Sequence, residues 1–282
     1  MDNKLNFTKH GYLNEDFHLF HIKDKKELSL DFHFHDFNKI IIFLSGKVTY
    51  FIEGKSYILK PWDILLVSKY DIHKPIIDPS QYYERIIIWA DSSFIEKHNY
   101  ENCNLSNCFM LSKERKINLI RLEQPLQTHL KTIIATLEDS LNSKEFGSKL
   151  LSNSLFIQLL IYLNRIYLED NYSSISDSLK YDKQIETILK YINNNLSKNL
   201  SIDSLCEEFF ISKYYLMHKF KKETGYTLHN YILQKRLLMV INYIKTGYSI
   251  SKASELCGFK DYSAFLRAFK KNFNTLPSEL KK

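Results

Sequence analysis

Residues 265–273 read F-L-R-A-F-K-K-N-F, and residues 216–224 read L-M-H-K-F-K-K-E-T. The two phrases share apolar positions four apart and a basic pair on the far side, which is the period of one buried helix face. Each has the same kind of lead-in. Ahead of the first, S-I-D-S-L-C-E-E-F (201–209) opens on Ser201, an N-cap residue type, and repeats apolar residues at Ile202, Leu205 and Phe209. Ser212 then starts a second helix that buries Leu216 and Phe220. Ahead of the other, S-I-S-K-A-S-E-L (249–256) runs into a turn at Cys257-Gly258-Phe259 and a second helix carrying Phe265 and Phe269. Two short helices joined by a tight turn form a helix-turn-helix, and this chain writes it twice, over 201–224 and 249–273. The apolar-striped stretch from Asn230 to Ile244 lies between them and predicts a helix that holds the units at fixed separation.

Charge follows the same division. Residues 183–282 hold 17 Lys/Arg against 8 Asp/Glu, whereas residues 1–182 hold 22 against 24. The whole positive surplus sits in the repeated segment. Clustered cations on a separable segment are what phosphate binding needs, and a solvated basic face is the bland alternative.

The rest of the 282 residues is enough for a second ordinary domain, and 44% hydrophobic content excludes a disordered chain. Met1 to Lys9 is polar and carries no secretory pattern, and runs such as 40–44 and 85–89 are too short to cross a bilayer. The four cysteines (103, 108, 206, 257) lack metal-type spacing and read as reduced thiols; Cys103-x4-Cys108 is weighed as a redox pair and set below inert cysteines. The expected location is the cytoplasm, at the nucleoid, with no membrane contact.

Between residues 30 and 90 the pattern is β. I-I-I-F-L (40–44), V-T-Y-F-I (48–52), I-L-L-V (64–67) and R-I-I-I-W (85–89) are short, β-branched and aromatic, with Ser45-Gly46, Glu53-Gly54, Lys60-Pro61 and Asp78-Pro79 as turn signals. That spacing predicts a sandwich or barrel. After about residue 115 the pattern turns helical. Leu119, Leu122, Leu126, Leu130, Ile133, Ile134 and Leu137 recur at three and four, as do Leu151, Leu155, Leu159, Tyr162 and Ile166. N-Y-S-S-I-S-D-S (171–178) reads as a linker.

Residues 183–282 resemble the DNA-binding domain of the AraC family of bacterial transcription regulators. The resemblance is carried by S-K-Y-Y-L-M-H-K-F-K-K-E-T-G-Y-T (212–227), Y-I-L-Q-K-R-L (231–237), residues 249–271 and L-P-S-E-L (276–280). The chain departs at Val240, where Ala is usual, at Asn274, where Gly is usual, and at His218, where Arg is usual. The N-terminal half resembles the cupin-like effector domain of such regulators, through H-F-H-D-F-N-K-I-I-I-F-L-S-G (33–46) and K-P-W-D-I-L-L-V-S-K-Y-D-I-H (60–73). The expected architecture is therefore a two-domain α+β chain. A cupin-like β-barrel spans 1–115, a helical dimerisation region 116–170, a linker 171–182, and an all-α domain with two helix-turn-helix units 183–282.

The resemblance implies an effector-controlled, sequence-specific DNA-binding regulator acting on promoter sites as a homodimer, with RNA polymerase and a small-molecule effector as further partners. Nothing in the residues assembles a nucleophile–base set, a phosphate loop or a carboxylate pair, so no enzyme is expected. Two alternatives stay open: a metal-dependent cupin enzyme fused to a DNA-binding module, and a regulator controlled by a protein partner. A closed pocket in the barrel would favour a ligand, and a filled barrel a partner.

On the recognition helices the expected DNA-facing residues are Lys213, Tyr214, Met217, His218 and Lys221 in the first unit, and Tyr262, Ser263, Leu266, Arg267 and Lys270 in the second. Arg267 has the fork to read a guanine edge, and Met217 and Leu266 either meet thymine methyls or make local protein contacts. In the barrel, His33, His35, Lys39 and His73 are the expected effector pocket. Metal-binding cupins use three His and one Glu. Here the position matching the carboxylate is Lys39, which repels a cation, and Asp36 points to the opposite face from His35. No metal and no cofactor are expected.

Overall fold

The computed structural model describes residues 11–25, 32–115, 117–169, 179–180, 182–273 and 275–281. Asn274 and residues 171–178 of the Ser-rich stretch lie outside the described residues.

The N-terminal half is two antiparallel sheets. One runs in the order β1 (Phe17–Asp24), β7 (Tyr83–Ala90), β2 (Asn38–Ser45), β5 (Ile64–Val67) and β8 (Leu119–Ile120). The other runs β6 (His73–Ile77), β3 (Val48–Ile52), β4 (Lys55–Ile58) and β9 (Leu179–Lys180). The four runs read as strands from sequence are β2, β3, β5 and β7. The strands not read are mostly edges or short. β1 mixes His and Lys into its apolar face, β4 has four residues, and β6 carries Pro75, which an edge strand tolerates.

Strand β2 explains the layering. Alternate residues point to opposite faces. Ile41 and Phe43 join Tyr50, Tyr57, Leu65 and Tyr83 between the sheets. Ile40 and Ile42 face the other way, onto α2 (Asn107–Glu114), α3 (Leu126–Asn142) and α4 (Ser148–Leu168) through Phe109, Ile134, Leu137, Phe156 and Leu160. A strand covered on both sides needs a continuous apolar run, which is what N-K-I-I-I-F-L supplies. The remaining helix of this half, α1 (Ser92–Lys97), is capped by Asp91.

One expectation is corrected here. The three-and-four spacing placed a helix from Leu119, but Leu119 and Ile120 are a strand paired with Leu65 and Ile64, and the helix starts at Leu126 after Pro125. Leu119 fills the barrel and Leu122 the outer layer, so two separate environments mimicked one helical stripe.

The C-terminal half is all helix: α5 (Lys183–Asn194), α6 (Ile202–Phe209), α7 (Lys213–Thr224), α8 (Leu228–Lys245), α9 (Ile250–Leu256), α10 (Tyr262–Phe273) and a 3-10 turn, Pro277–Lys281. It has two cores. Ile185, Ile188, Leu205, Leu216, Phe220 and Tyr231 form the first. Leu237, Val240, Ile241, Cys257, Phe265 and Phe269 form the second, with Val240 fully buried where the family usually has Ala. Among the described residues no helix is long and apolar enough to cross a membrane.

Candidate DNA interface and effector pole

In the first unit Ser201 accepts from Ser204 N at 3.1 Å and Ser212 from Tyr215 N at 3.2 Å, each satisfying an orphan donor at a helix start. Helix α6 ends on Phe210, a left-handed residue (φ 51°) whose ring is 94% exposed. Buried Leu216 and Phe220 anchor α7. The other face presents Lys213, Tyr214, Met217, His218 and Lys221 to solvent. Two of these have partners that sequence did not reveal: Lys213 forms an ion pair with Asp203, and His218 stacks on Tyr214 with ring centroids 5.7 Å apart. Sequence also missed Lys219, tied to Asp182 at 2.6 Å, which fixes α7 to the start of α5.

In the second unit Ser249 accepts from Lys252 N at 3.2 Å. The turn uses Gly258 (φ +81°), where a Cβ would sit 2.8 Å from the Leu196 carbonyl and 3.0 Å from Arg236 Nη2. That close approach requires glycine. Arg236 itself donates to the carbonyls of Leu196 (2.9 Å) and Lys198 (2.7 Å), clamping α8 to the loop before α6. Asp261 caps α10 through Ser263 N and Ala264 N. Tyr262, Ser263, Arg267 and Lys270 are exposed, and Arg267 and Lys270 have no ion-pair partner among the described residues. Leu266 is half-buried against the second core, the local-contact reading, whereas Met217 stands 51% exposed.

The effector residues gather at one end of the barrel interior. His33 and His73 pair through their backbones, with N···O distances of 3.1 and 3.0 Å in the two directions. The rings of His33, His35 and His73 lie 4.4–5.0 Å apart between centroids. His73 donates Nδ1–H to the Asp71 carbonyl at 2.9 Å, which turns Nε2 into the barrel. Burial, then the neighbouring His33, Lys39 and His35, hold the His73 pKa well below its usual value. Lys39 is buried on the same strand face as Ile41, and burial with the Arg85 charge lowers its pKa to about 7. Most of the barrel below this pole is filled by Phe43, Tyr50, Tyr57 and Tyr83, the outcome that favours a partner over a ligand seated deep in the barrel and leaves a small molecule only the pole itself. Cys108 is buried with its thiol pushed up to about 12, so it holds no thiolate near neutral pH.

The outer side of the same segment meets the helical half. Phe34 and Ile72, both fully buried, belong to the first unit's core. The Phe32 ring lies 4.5 Å from that of Tyr226, and at Gly225 (φ +78°) a Cβ would fall 1.5 Å from it. Glu53 accepts from Ile72 N at 2.8 Å and pairs with Lys235 of α8 at 2.5 Å. A cavity of about 560 Å³ lies beside these contacts, lined from both halves by Asn38, Asp71, Lys113, Leu189, Lys235 and Met239 among others. Burial raises the Asp71 carboxyl to about 6 even with Lys113 Nζ 3.6 Å away. None of Phe34, Glu53, Asp71 or Lys235 was singled out from sequence. The alternation Phe-His-Phe-His at 32–35 is the one signal that pointed there.

Comparison with known proteins gives consistent matches. Residues 20–160 match the model of the AraC-like ligand binding domain, and residues 205–282 match a helix-turn-helix domain model. The chain is 24% identical over 250 residues to the HTH-type transcriptional activator RhaR of Mannheimia succiniciproducens, covering 88% of this chain and 85% of that protein. It is 22% identical over 268 residues to RhaS of Escherichia coli (strain K12 / DH10B), covering 88% and 86%. Among solved structures, unsaturated fatty acid bound wild-type ToxT from Vibrio cholerae strain SCE256 aligns over 96% of each chain at 18% identity and a TM-score of 0.40.

Proposed function

Because this chain belongs to the AraC family of transcription regulators, a DNA-binding protein with a ligand-binding domain, we propose that α7 and α10 enter successive major grooves on one side of promoter DNA. One observation carries this reading. Two separately capped recognition helices present basic, solvent-facing surfaces, and that half of the chain holds all the net positive charge. Lys213, Tyr214, Met217, His218 and Lys221 form the first reading face, and Tyr262, Ser263, Leu266, Arg267 and Lys270 the second. Lys221 and Lys270 take phosphates, and Arg267 takes a guanine edge. The chain works as a regulator and not as an enzyme, in the cytoplasm, and it reaches RNA polymerase from its promoter site, in keeping with relatives described as activators. Selection of bound sequences from a randomised duplex library tests the reading. It expects two short conserved blocks about one helical turn (~34 Å) apart, and enrichment of a single block would overturn it.

The organisation proposed is an effector domain over 1–115 whose sheets also take in β8 and β9 from the segments that follow, the helices within 116–170, a linker over 171–182 and the DNA-binding domain from 183. The helices form a homodimer, which places two DNA-binding domains on repeated half-sites. Leu141, Phe146, Leu150, Leu151 and Leu168 are exposed on α3, α4 and the loop between them, more apolar surface than covering the sheet requires. Sedimentation of the full chain should give a dimer at tens of micromolar, and Leu150→Glu with Leu151→Glu a monomer.

A further inference from the structure

The pole of the barrel does not fit a metal ion. His33, His35 and His73 bring ligand nitrogens within 4.8 Å of one another, a three-histidine set that zinc can accept, but the carboxylate of metal-binding cupins is missing and the group standing there would repel a cation. In its place is Lys39, cross-strand from Val67 on one side and Trp89 on the other, and pointing inward with them. Lys39 is only 7% exposed, and its ammonium has neither hydrogen-bond nor ion-pair partner among the described residues. The next cation along the wall, Arg85, is already matched: it grips Asp24 through its two terminal guanidinium nitrogens at 2.7 and 3.1 Å. Of the polar atoms at this end that are buried without partners among the described residues, the indole Nε1–H of Trp89 and Nε2 of His73 bear on the ligand. Their rings flank His35, at 5.8 Å and 4.9 Å.

Buried polar groups in folded proteins are almost always matched. Here unmatched donors, one of them cationic, share the pole with an unmatched acceptor: Lys39 and Trp89 are cross-strand partners, and the His35 ring lies between those of Trp89 and His73. Their natural complement is an anion that also carries a hydroxyl. A carboxylate accepts from an ammonium and an indole N–H together, and an alcohol O–H donates to a neutral imidazole nitrogen. We propose that this pole binds a small hydroxycarboxylate, its carboxylate held by Lys39 and Trp89 and its hydroxyl by His73 Nε2. The proposal rests on the reading of the barrel as the effector domain and names the chemical class of the effector. It also gives the effector a route outward, since His33 and His73 pair with each other through their backbones and their chain neighbours Phe34 and Ile72 sit in the first unit's core.

The test uses the full-length chain with Trp62→Phe, which leaves Trp89 as the one remaining tryptophan of two. Trp89 fluorescence is followed against sodium lactate, with sodium propionate (no hydroxyl), lactamide (no charge) and sodium chloride as comparisons. Lactate should give a saturable change, propionate should bind about tenfold more weakly, and lactamide should give none. Lys39→Met, close in shape and neutral, should lose the response at least about tenfold, and Lys39→Arg should keep it. Four results would overturn the proposal: no saturable change with lactate up to about 100 mM, the limit of any useful contact energy; lactamide equal to lactate; propionate equal to lactate; or one equivalent of zinc binding through the three histidines in place of lactate. A mobility shift on the same preparation keeps the two readings apart. Failure to bind DNA counts against the proposed function, whereas failure to bind lactate with DNA binding intact counts against this inference alone.

Discussion

The two helix-turn-helix units look alike in sequence and differ in what completes them. The second unit draws its fully buried residues from its own half of the chain, chiefly α8, α9 and α10, with only Tyr70 of the barrel at its edge and Phe34 5.8 Å from the ring of Phe273. The first unit's core is finished by Phe34 and Ile72 from the barrel. The same division runs through the turns. Gly258 makes the second turn without strain, while the first places Phe210 in the left-handed region with its ring in water. One unit therefore needs the sensing half to complete its buried core, and the other only touches it at the edge. A regulator built this way can change the posture of one reading head without unfolding the other.

The largest expected effect is at the shared core. Phe34→Ala removes a fully buried aromatic and should lower stability by about 3–5 kcal/mol. Hydrogen exchange should show amides of α6 and α7 opening faster while those of α9 and α10 keep their protection. Equal loosening of both units would abolish the distinction drawn here.

On DNA the difference should reverse. Arg267→Ala is expected to lose roughly 1–3 kcal/mol on the preferred site and to relax one base position. His218→Ala should lose less, because an imidazole has no bidentate fork. Lys221→Ala should weaken all sequences alike and reduce the salt slope by about 1. Binding titrations over a range of salt separate these outcomes, and a larger loss at His218 than at Arg267 would make the leashed unit the main reader.

Acid should act first at the barrel's histidine pole. The folded pKa of His73 lies below its unfolded value, so the unfolded chain takes up a proton that the fold refuses. Stability is then lost as pH falls below about 6.5, by up to about 1.4 kcal/mol per pH unit for one such proton. Lys39, about 7 when folded against 10.5, acts in the same direction at higher pH: stability rises from pH 7 toward 10.5. Denaturant midpoints across pH 5–10 check both signs, and Lys39→Met should flatten only the upper part of the curve.

The smallest change is in the turn. Phe210→Gly relieves a left-handed phenylalanine and should raise stability by up to about 1 kcal/mol, seen as slower exchange in α6 and α7 alone.

The helix-turn-helix units were legible because local rules govern them. Ser201 and Ser212 cap by side chains three residues from their partners, and Phe265 and Phe269 share a face by helical period alone. The barrel was legible at β2, β3, β5 and β7, where burial forces an apolar pattern. It was not legible at Leu119, whose partner in the sheet is Leu65, or at Lys180, paired with Ser56. Pairings over such separations leave no local trace. The site divides in the same way: exposure of Arg267 follows from helix geometry, whereas the ion pair of Lys213 with Asp203 and the docking of Glu53 on Lys235 depend on how separate elements come together.

The stretch Phe32–His35 makes the sensing surface and the docking surface two sides of a single thread. Its histidines look into the barrel and its phenylalanines look out at the reading head. Nothing needs to be relayed across a domain, because the separation between the two functions is one peptide thick. The arrangement is correspondingly brittle to phase: inserting a single residue ahead of Phe32 leaves the chemistry of the four side chains unchanged and exchanges every one of their addresses, setting imidazoles in the apolar core and benzyl rings at the polar pole.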